Sequence, residues 1–545
     1  MNSLYLVILA FALFYFGYKF YSKYISSKIF DLDDSKNTPA NEINDGIDYV
    51  PTNKNILFGH HFTSIAGAAP IIGPCIAVFW GWVPAFLWVV FGTIFMGAVH
   101  DFGALVISLK EDGKSVADIS SNVINKRIRI MFLCFVMCLT WLVLAVFANA
   151  IASLFTKYSS AVIPVNIEII IAIVIGYVIY KKNINAFMPS IIALLILYFF
   201  IWYGANNPIN LDSLGISNIK SSWIIILFIY SAIASLMPVW ILLQPRDYIN
   251  SHQLIVGLGL IYLSIIIAQP NIIAPPITNL KSGPPIIPFL FVTIACGAIS
   301  GFHGLVSSGT TAKQVNKMKD ARMIGYGATL GEGSLALAAT IAAVAGVSFI
   351  NSSGCLPWGC DFKNAAGNAL TIFINGSSGL LQQIGISENI SVTLIVVLIV
   401  SFAATTLDSA TRIQRYIINE FGSATNIIFL KNKYTATIIS VIPAYLIATN
   451  DSLRNELWQT FGASNQMLAA LTLMIISIYF WKKGKNILPF LIPMIIVMII
   501  AIWALIIKFN QSSTILLKFI NGTLICLIIW MIIEGIMHIR KKINV

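Results

Sequence analysis

Charged residues are scarce in this chain of 545 residues: they make up 10 % of it, whereas hydrophobic residues make up 58 %. Ordinary soluble domains carry about 25 % charged residues, so the composition argues against a soluble protein. Apolar runs long enough to cross a bilayer recur from one end to the other, which predicts a polytopic helical membrane protein. The net charge of +12 comes from lysines and arginines scattered through short loops, so it does not indicate nucleic-acid binding.

The chain also lacks the motifs of nucleotide-driven transport and of common hydrolases. There is no glycine–lysine phosphate-binding loop, no His-Glu-x-x-His and no Gly-x-Ser-x-Gly. We therefore predict that ATP does not drive it directly, that it is not an enzyme, and that it carries no cofactor or metal. His60, His61, His100 and Asp101 come nearest to a metal site, but adjacent helical residues point about 100° apart, which disfavours shared ligation.

Cysteine is rare as well, with seven residues and no Cys-x-x-Cys. Cys355 and Cys360 flank Leu-Pro-Trp-Gly in a long polar loop. A disulfide and two free thiols both stay open there, because spacing alone does not establish the geometry of a bond.

About fifteen membrane spans are predicted from the requirement for roughly 20 apolar residues per helix. Their approximate limits are 4–22, 56–79, 84–109, 130–155, 163–180, 186–203, 223–243, 253–268, 287–311, 323–349, 389–409, 434–450, 457–481, 487–508 and 514–538. If the N-terminus is outside and the spans alternate, most of the 34 basic residues fall on the inner side, including Arg246. The positive-inside rule thus predicts an external N-terminus and a cytoplasmic C-terminus.

One predicted span, 56–79, contains helix-breaking residues at its middle. Pro70 and Pro74 remove backbone donors, and Gly67 and Gly73 weaken the helix beside them. Unwound backbone at membrane depth is tolerated where it is buried in protein or lines a cavity, and it can bind substrates and ions. The segment therefore predicts substrate binding by Gly67, Ala68, Ala69, Pro70 and Gly73, with a kinked packing helix as the alternative.

A second interrupted span is predicted five spans later, at 223–243, where Pro238 and Trp240 occur. Interrupted helices at corresponding places in two inverted halves point to the binding site of a transporter. Pro238 and Trp240 are therefore predicted to contact substrate. The predicted divisions are an N-terminal span and cytoplasmic linker in 1–55, a five-helix repeat in 56–203, a second inverted repeat in 223–411 and four accessory spans in 434–545.

Ionisable groups inside spans are costly and hence suspect as functional residues. His100, Asp101, Glu332 and Asp408 are predicted to couple transport to an ion, and His303 to bind substrate. For Asp101 and Asp408 the alternative is a structural pair with a nearby basic residue such as Arg412 or Lys313. For His60 and His61 we favour a solvated position near the inner end of their span.

Hydroxyl groups cluster at the end of span 287–311. Ser307, Thr310 and Thr311 could complete a cation site with freed carbonyls of Gly67 to Ile71, since hard cations prefer oxygen ligands. Helix–helix hydrogen bonding by small polar residues is the alternative.

Several of these segments together resemble the carbon starvation protein A family. The matching segments are Gly59–Pro74, His100–Gly103, Gly301–Thr311, Thr405–Gln414 and Phe461–Gln466. The resemblance implies a multi-pass protein of a prokaryotic cell membrane, induced by carbon starvation stress, that imports peptides or pyruvate with protons. It also implies the amino acid–polyamine–organocation superfamily, and with it an all-α, LeuT-like core of two inverted five-helix repeats with discontinuous helices.

The predicted function is secondary active transport: proton-coupled import of peptides or of small carboxylates such as pyruvate. Helix N-termini freed between Gly67 and Pro74 would face the substrate carboxylate, since their amides favour negative charge. Sodium-coupled symport of an amino acid or another organic solute is the alternative, and a passive channel or sensor is a weaker one because no filter loop is evident. The predicted partners are the substrate and the lipid bilayer, and a homo-oligomer is left open.

Overall fold

The computed structural model describes residues 1–182, 186–209, 215, 218–278, 283–350, 356–512 and 514–543. Over these ranges the secondary structure is helical, and the only β-pairing is two isolated bridges. In chain order the α-helices are α1 Leu4–Phe16, α2 Pro39–Ile43, α3 Lys54–Ile65, α4 Ala69–Ala77, α5 Trp82–Leu87, α6 Ala98–Lys110, α7 Val116–Val123, α8 Lys126–Lys157, α9 Val162–Lys182, α10 Phe187–Asn206, α11 Ile219–Leu236, α12 Leu243–Ala268, α13 Ile286–Thr293, α14 Gly301–Gly309, α15 Ala328–Val344, α16 Phe362–Gly367, α17 Ala369–Gln382, α18 Glu388–Thr425, α19 Lys433–Thr449, α20 Asp451–Trp481, α21 Leu488–Gln511 and α22 Ile515–Ile543. Cys355 lies outside the described residues, so a bond between Cys355 and Cys360 stays untested.

The described residues contain 12 helical stretches that are long and apolar enough to cross a membrane, or 13 with the bent pair α3 and α4. These stretches confirm a multi-pass helical membrane protein. The predicted set of about fifteen includes two more: α19, which is shorter than the others, and 287–311, which is divided into α13 and α14. The total number of spans therefore stays a prediction.

Burial separates central from peripheral helices. In the apolar stretch of α20, 100 % of the residues are buried, and in that of α18, 89 % are. In the first span only 28 % are buried. Outer helices expose large apolar side chains such as Ile8, Leu195, Ile229 and Trp530. Exposed apolar side chains of this kind suit contact with lipid chains. The core of the protein is therefore built around α18 and α20.

The predicted interruption near Pro70 is confirmed. Helix α3 ends at Ile65, Ala66 leaves helical geometry (φ −81°, ψ 53°), and α4 begins at Ala69 after a bend of 46°. Pro70 occupies the first turn of α4, where its missing N–H has no intrahelical partner to lose. The proline therefore starts the second half of this span, while Pro74 lies inside α4.

The predicted interruption at Pro238 is wrong. Helix α11 ends at Leu236, Met237 is extended (φ −74°, ψ 149°), and Pro238 lies in a turn before α12 begins at Leu243. A residue before proline is driven towards extended geometry, so this proline ends a helix instead of breaking one. The second interruption lies in 294–300, between α13 and α14, in a stretch that we predicted to be one continuous span.

The halves of the two interrupted helices pack against helices from other parts of the chain. Helix α4 packs on α15, α14 packs on α6, and the long helices α8 and α18 run along each other. The broken helices also meet directly, since a Cβ on Gly73 would lie 2.5 Å from the carbonyl oxygen of Thr293. Glycine at position 73 therefore permits the backbones of α4 and α13 to touch.

The linker that contains α2 covers one end of this core. Tyr416 of α18 donates a hydrogen bond to Asp48 (2.6 Å), and the backbone N–H of Thr52 donates to the carbonyl of Gln314 (3.0 Å). The ammonium of Lys313 lies 5.5 Å from the centre of the Tyr49 ring. The linker is thus tied to α18 and to the segment that follows α14.

Candidate functional site

Asp101 is the centre of a buried polar cluster that joins four helices. Nε2 of His61 (α3) lies 2.9 Å from Oδ2 of Asp101 (α6), and the hydroxyl of Thr329 (α15) donates to the same oxygen at 2.8 Å. Ser307 (α14) donates to Oδ1, and Nδ1 of His61 lies 2.9 Å from the hydroxyl of Thr311. We call His61, Asp101, Ser307, Thr311 and Thr329 the Asp101 cluster; all five are buried. An imidazole held between a carboxylate and a hydroxyl keeps hydrogen bonds in both its neutral and protonated forms.

A histidine–carboxylate pair on the same helices lies near by. Nε2 of His303 (α14) is 3.2 Å from Oε2 of Glu332 (α15), and both residues are buried. Within the described residues, Oε1 of Glu332, Nδ1 of His303 and both ring nitrogens of His100 have no hydrogen-bond partner. His100 lies against Gly304, where a Cβ would come within 3.1 Å of its ring. Buried polar atoms without partners are costly, which indicates a place for a transferable proton or a bound ion.

A second buried cluster surrounds Arg246 of α12. Its Nη1 lies 2.5 Å from Oδ2 of Asp408 (α18), and its Nε lies 3.2 Å from Oε1 of Glu168 (α9). The hydroxyl of Tyr230 (α11) bridges Arg246 and Asp408 at 2.9 Å from each, and Ser401 donates to Oε2 of Glu168 at 2.5 Å. We call Glu168, Tyr230, Arg246, Ser401 and Asp408 the Arg246 cluster.

Asp101 and Asp408 are both paired, as the structural alternative has it, but with groups from other helices instead of Arg412 or Lys313. Asp101 contacts His61 and Asp408 contacts Arg246. Arg412 instead donates to the backbone carbonyls of Ala234 (3.0 Å) and Met237. The side chain of Arg412 reaches the exposed carbonyls at the end of α11, which need donors.

The solvated position predicted for His60 and His61 is also wrong. His60 is 1 % exposed and His61 is 0 % exposed. Nδ1 of His60 contacts Oδ2 of Asp247 on α12. Helix α3 packs against α12, α14, α15 and α18, so this half of the broken span is surrounded by protein.

The residues predicted to bind substrate divide into two groups. Gly67, Ala68, Ala69, Pro70 and Gly73 are all buried at the break or in α4. A Cβ on Gly67 would lie 2.6 Å from the hydroxyl of Thr406 and 2.8 Å from the Phe147 ring, so the unwound backbone touches α18 and α8.

Pro238 and Trp240 lie elsewhere, in the half-buried turn between α11 and α12, where Lys181 stands 5.7 Å from the centre of the Trp240 ring. They do not share the break. Thr310 also stays apart from the Asp101 cluster, because its hydroxyl donates to the carbonyl of Val306 within its own helix (3.2 Å).

Several members of these clusters are not among the residues predicted from the sequence. Arg246 was assigned to an inner span end, yet it is 1 % exposed inside α12. Glu168 was overlooked, although an acid inside the apolar run of α9 is the signal that should have selected it. Thr329 and Tyr230 carry no comparable signal, because hydroxyl side chains are common in transmembrane helices.

Comparisons with known proteins agree with this architecture. A protein-family profile described as "Carbon starvation protein CstA" matches residues 2–355 and 360–504. A Helicobacter pylori protein named "Peptide transporter CstA" is 30 % identical over 571 residues, covering 94 % of this chain and 83 % of that protein. An Escherichia coli protein named "Pyruvate/proton symporter BtsT" is 36 % identical over 358 residues, covering 63 % of this chain and 49 % of that protein.

Among solved structures, the crystal structure of MhsT in complex with L-phenylalanine aligns with a TM-score of 0.51 and 11 % sequence identity. The alignment covers 89 % of this chain and 99 % of that one. At this identity the likeness concerns the fold alone, and it confirms the predicted LeuT-like fold class. The division into repeats is not established by it.

Proposed function

The chain belongs to the carbon starvation protein CstA family, and from this premise we propose that it imports peptides or small carboxylates such as pyruvate by proton symport. The relatives' names give two substrate classes, peptide and pyruvate, and one of them gives the proton as the coupling ion. The proposal is transport without chemical conversion of the substrate, across the cell membrane of a prokaryote under carbon starvation.

The observation that carries proton coupling is the contact between Asp101 and His61. The pair is fully buried, its atoms are 2.9 Å apart, and it joins α6 to α3, the first half of the broken span. Adding or removing a proton there changes the charge between two helices that must move relative to each other during alternating access. The buried pair of His303 and Glu332 adds a second contact between titratable groups, from α14 to α15.

We propose a revised division of the core that follows the two interruptions. In it, the span of α3 and α4, the span Trp82–Lys110, α8, α11 and α12 form one five-helix unit. The second unit contains the pair α13 and α14, the span Arg322–Val344, α18, α19 and α20. Reciprocal contacts between the two units support the division: α4 of the first unit contacts α15 of the second, and α14 of the second contacts α6 of the first. Helices α9 and α10 are then an insertion in the first unit.

The direct test is uptake of labelled pyruvate and of labelled dialanine into proteoliposomes that contain the full chain. An inward proton gradient is expected to produce accumulation above equilibrium, and a protonophore is expected to abolish it. Absence of accumulation with both substrates would remove the support for the proposal.

A sodium-coupled mechanism is the second candidate, and one observation favours it. The hydroxyls of Ser307 and Thr329 contact the carboxylate of Asp101, and that of Thr311 contacts His61 beside it, so the cluster is rich in the oxygen atoms that a hard cation prefers. Replacing sodium by choline in the same assay separates the two, since proton symport continues without sodium.

A further inference from the structure

Arg246 has hydrogen-bonding capacity that the protein itself does not use. Its Nε contacts Glu168 and its Nη1 contacts Asp408 and Tyr230, but its Nη2 has no partner among the described residues. The same holds for Oδ1 of Asp408. A buried guanidinium with one free edge is suited to a planar anion, because its N–H groups match the two oxygens of a carboxylate.

Two more unpartnered atoms belong to a residue one turn after Arg246 in α12 and to a residue of α3 that contacts Asp247, the neighbour of Arg246 in the chain. They are Nε2 of His60, which contacts Asp247 through its other nitrogen, and Oδ1 of Asn250, whose amide donates to Thr405 (3.0 Å). Four buried side chains from α3, α12 and α18 thus each present an unused polar atom. Native proteins pair nearly all such atoms, so the concentration indicates a ligand site.

The site adjoins the break in the first interrupted span. The hydroxyl of Thr406, two residues before Asp408, lies 3.4 Å from the carbonyl oxygen of Ser64, and the hydroxyl of Ser409 lies 3.5 Å from that of Ser64. The same segment of α18 therefore carries the partner of Arg246 and contacts the last turn before the unwound residues. Through this segment of α18 the Arg246 cluster is joined to the unwound residues at Gly67, where a Cβ would meet Thr406.

We propose that Arg246 binds the carboxylate of the transported substrate, and that protonation of Asp408 frees the guanidinium to do so. The inference rests on the proposed function, in which the substrate is a carboxylate and the coupling ion is one proton; that single proton, exchanged at the Asp101 cluster, is the one that Asp408 takes up. Asp408 and the substrate then compete for one cation.

The exchange conserves charge at the site. A proton adds to Oδ1 of Asp408, the contact with Arg246 loses its ionic character, and the carboxylate of the substrate replaces it on Nη1 and Nη2. On the other side of the membrane the substrate leaves, Asp408 releases its proton and the ion pair forms again. Glu168 keeps its own contacts in this exchange, because one of its oxygens accepts from Arg246 and the other from Ser401.

The other groups facing Asp408 set the charge in which this exchange occurs. They are Tyr230 from α11, Glu168 from α9, Asp247 from α12, His60 from α3 and Arg412 from its own helix. Two guanidinium groups therefore face three carboxylates, with the imidazole of His60 beside them. A second anion fits this set when one carboxylate is neutralised, which is the step assigned to Asp408.

Binding to the purified full chain tests the assignment without requiring transport. Ligands that stabilise the folded protein raise its unfolding temperature. We expect the unaltered chain to bind pyruvate and dialanine about tenfold or more tightly than pyruvamide and dialanine amide, the effect of a charge-assisted hydrogen bond. Arg246→Gln should abolish this preference, whereas Arg246→Lys should retain a reduced one because it keeps the charge without the planar fork.

Asp408→Asn gives an independent readout, since acid binding should no longer improve as the pH falls. Arg322→Lys is the matched control: Arg322 bonds Ser22 and the carbonyl of Tyr18, away from the site, and its variant should behave as the unaltered chain does. The inference is overturned if Arg246→Gln and Arg246→Lys both keep the full acid preference, or if the unaltered chain shows none. If Arg246→Gln does not fold, the Arg246→Lys and Asp408→Asn results decide. Failure of the proposed function is a separate result, namely binding of the acids without proton-driven accumulation.

Discussion

His60 and His61 are neighbours in α3, yet their side chains contact carboxylates on two different helices. His60 meets Asp247 of α12, and His61 meets Asp101 of α6 at 2.9 Å. Adjacent helical residues diverge by about 100°, so one turn of helix serves both directions. Because this turn immediately precedes the break, movement of α3 would alter the Asp101 cluster and the surroundings of Arg246 together.

Removal of the charge on Asp101 is expected to uncouple transport. Asp101→Asn keeps the size of the side chain but removes the carboxylate that faces His61. We expect proton-driven accumulation to disappear, while exchange of labelled for unlabelled substrate at equal concentrations continues. Uptake and exchange in proteoliposomes measure the two.

The matched control is Glu388→Gln, since Glu388 is an exposed acid at the start of α18. It should accumulate substrate as the unaltered chain does. Full accumulation by Asp101→Asn would remove Asp101 from the coupling mechanism.

A methyl group at Gly67 is expected to impair both stability and transport. The added Cβ would meet the Thr406 hydroxyl at 2.6 Å and the Phe147 ring at 2.8 Å, and overpacking of this kind costs about 1–3 kcal/mol. Gly259→Ala is the control, because a Cβ there has open space. Gly67→Ala should therefore unfold at a lower temperature and transport more slowly than Gly259→Ala. Equal behaviour of the two variants would mean that the break accommodates the added methyl group.

Pro238→Ala is expected to change the transport rate by less than about twofold. Pro238 lies in the turn between α11 and α12 and does not interrupt a span. Trp240→Phe should be similarly mild. Initial uptake rates measure both effects. A severe loss of uptake in either variant would indicate that this turn contributes to the substrate site.

The charge moved per cycle should depend on the substrate. One proton with one pyruvate anion carries no net charge, whereas one proton with a zwitterionic dialanine carries one positive charge. An inside-negative membrane potential is therefore expected to accelerate dialanine uptake and to leave pyruvate uptake unchanged. Potentials set by potassium and valinomycin test this, and equal acceleration of both substrates would contradict a single coupled proton.

The linker is expected to loosen in acid. Burial raises the pKa of Asp45, but hydrogen bonds from the backbone N–H groups of Ile47, Tyr49 and Asp48 outweigh burial and hold the pKa below its usual range. A lowered carboxyl pKa stabilises the folded linker above the ordinary carboxyl pKa, and this contribution is lost as the pH falls through the lowered value. Proteolysis within residues 31–53 should increase with acidification and, at neutral pH, in Asp45→Ala. The exposed Glu42→Gln variant should match the unaltered chain.

The sequence predicted the membrane class, the break at Pro70 and the position of Asp101 inside a span, because each has a local signal: apolar length, a helix-breaking residue or a charge within an apolar run. It could not predict which groups meet. The partner of Asp101 is 40 positions away in the chain and that of Asp408 is 162 positions away. Such pairs follow from the way α3 contacts α6 and α12 packs on α18, which the spacing of apolar residues along the chain does not show. The interruption predicted at Pro238 is wrong because a proline marks the end of a helix as readily as a break within one.

The most direct test of coupling is proton movement driven by the substrate itself. Pyruvate is added outside proteoliposomes that contain the full chain, with no initial pH difference, and the external pH is followed together with entry of labelled pyruvate. Proton symport predicts that the external medium becomes more alkaline as pyruvate enters, and that Asp101→Asn abolishes the change. Entry of pyruvate by the unaltered chain with no movement of protons would contradict the account.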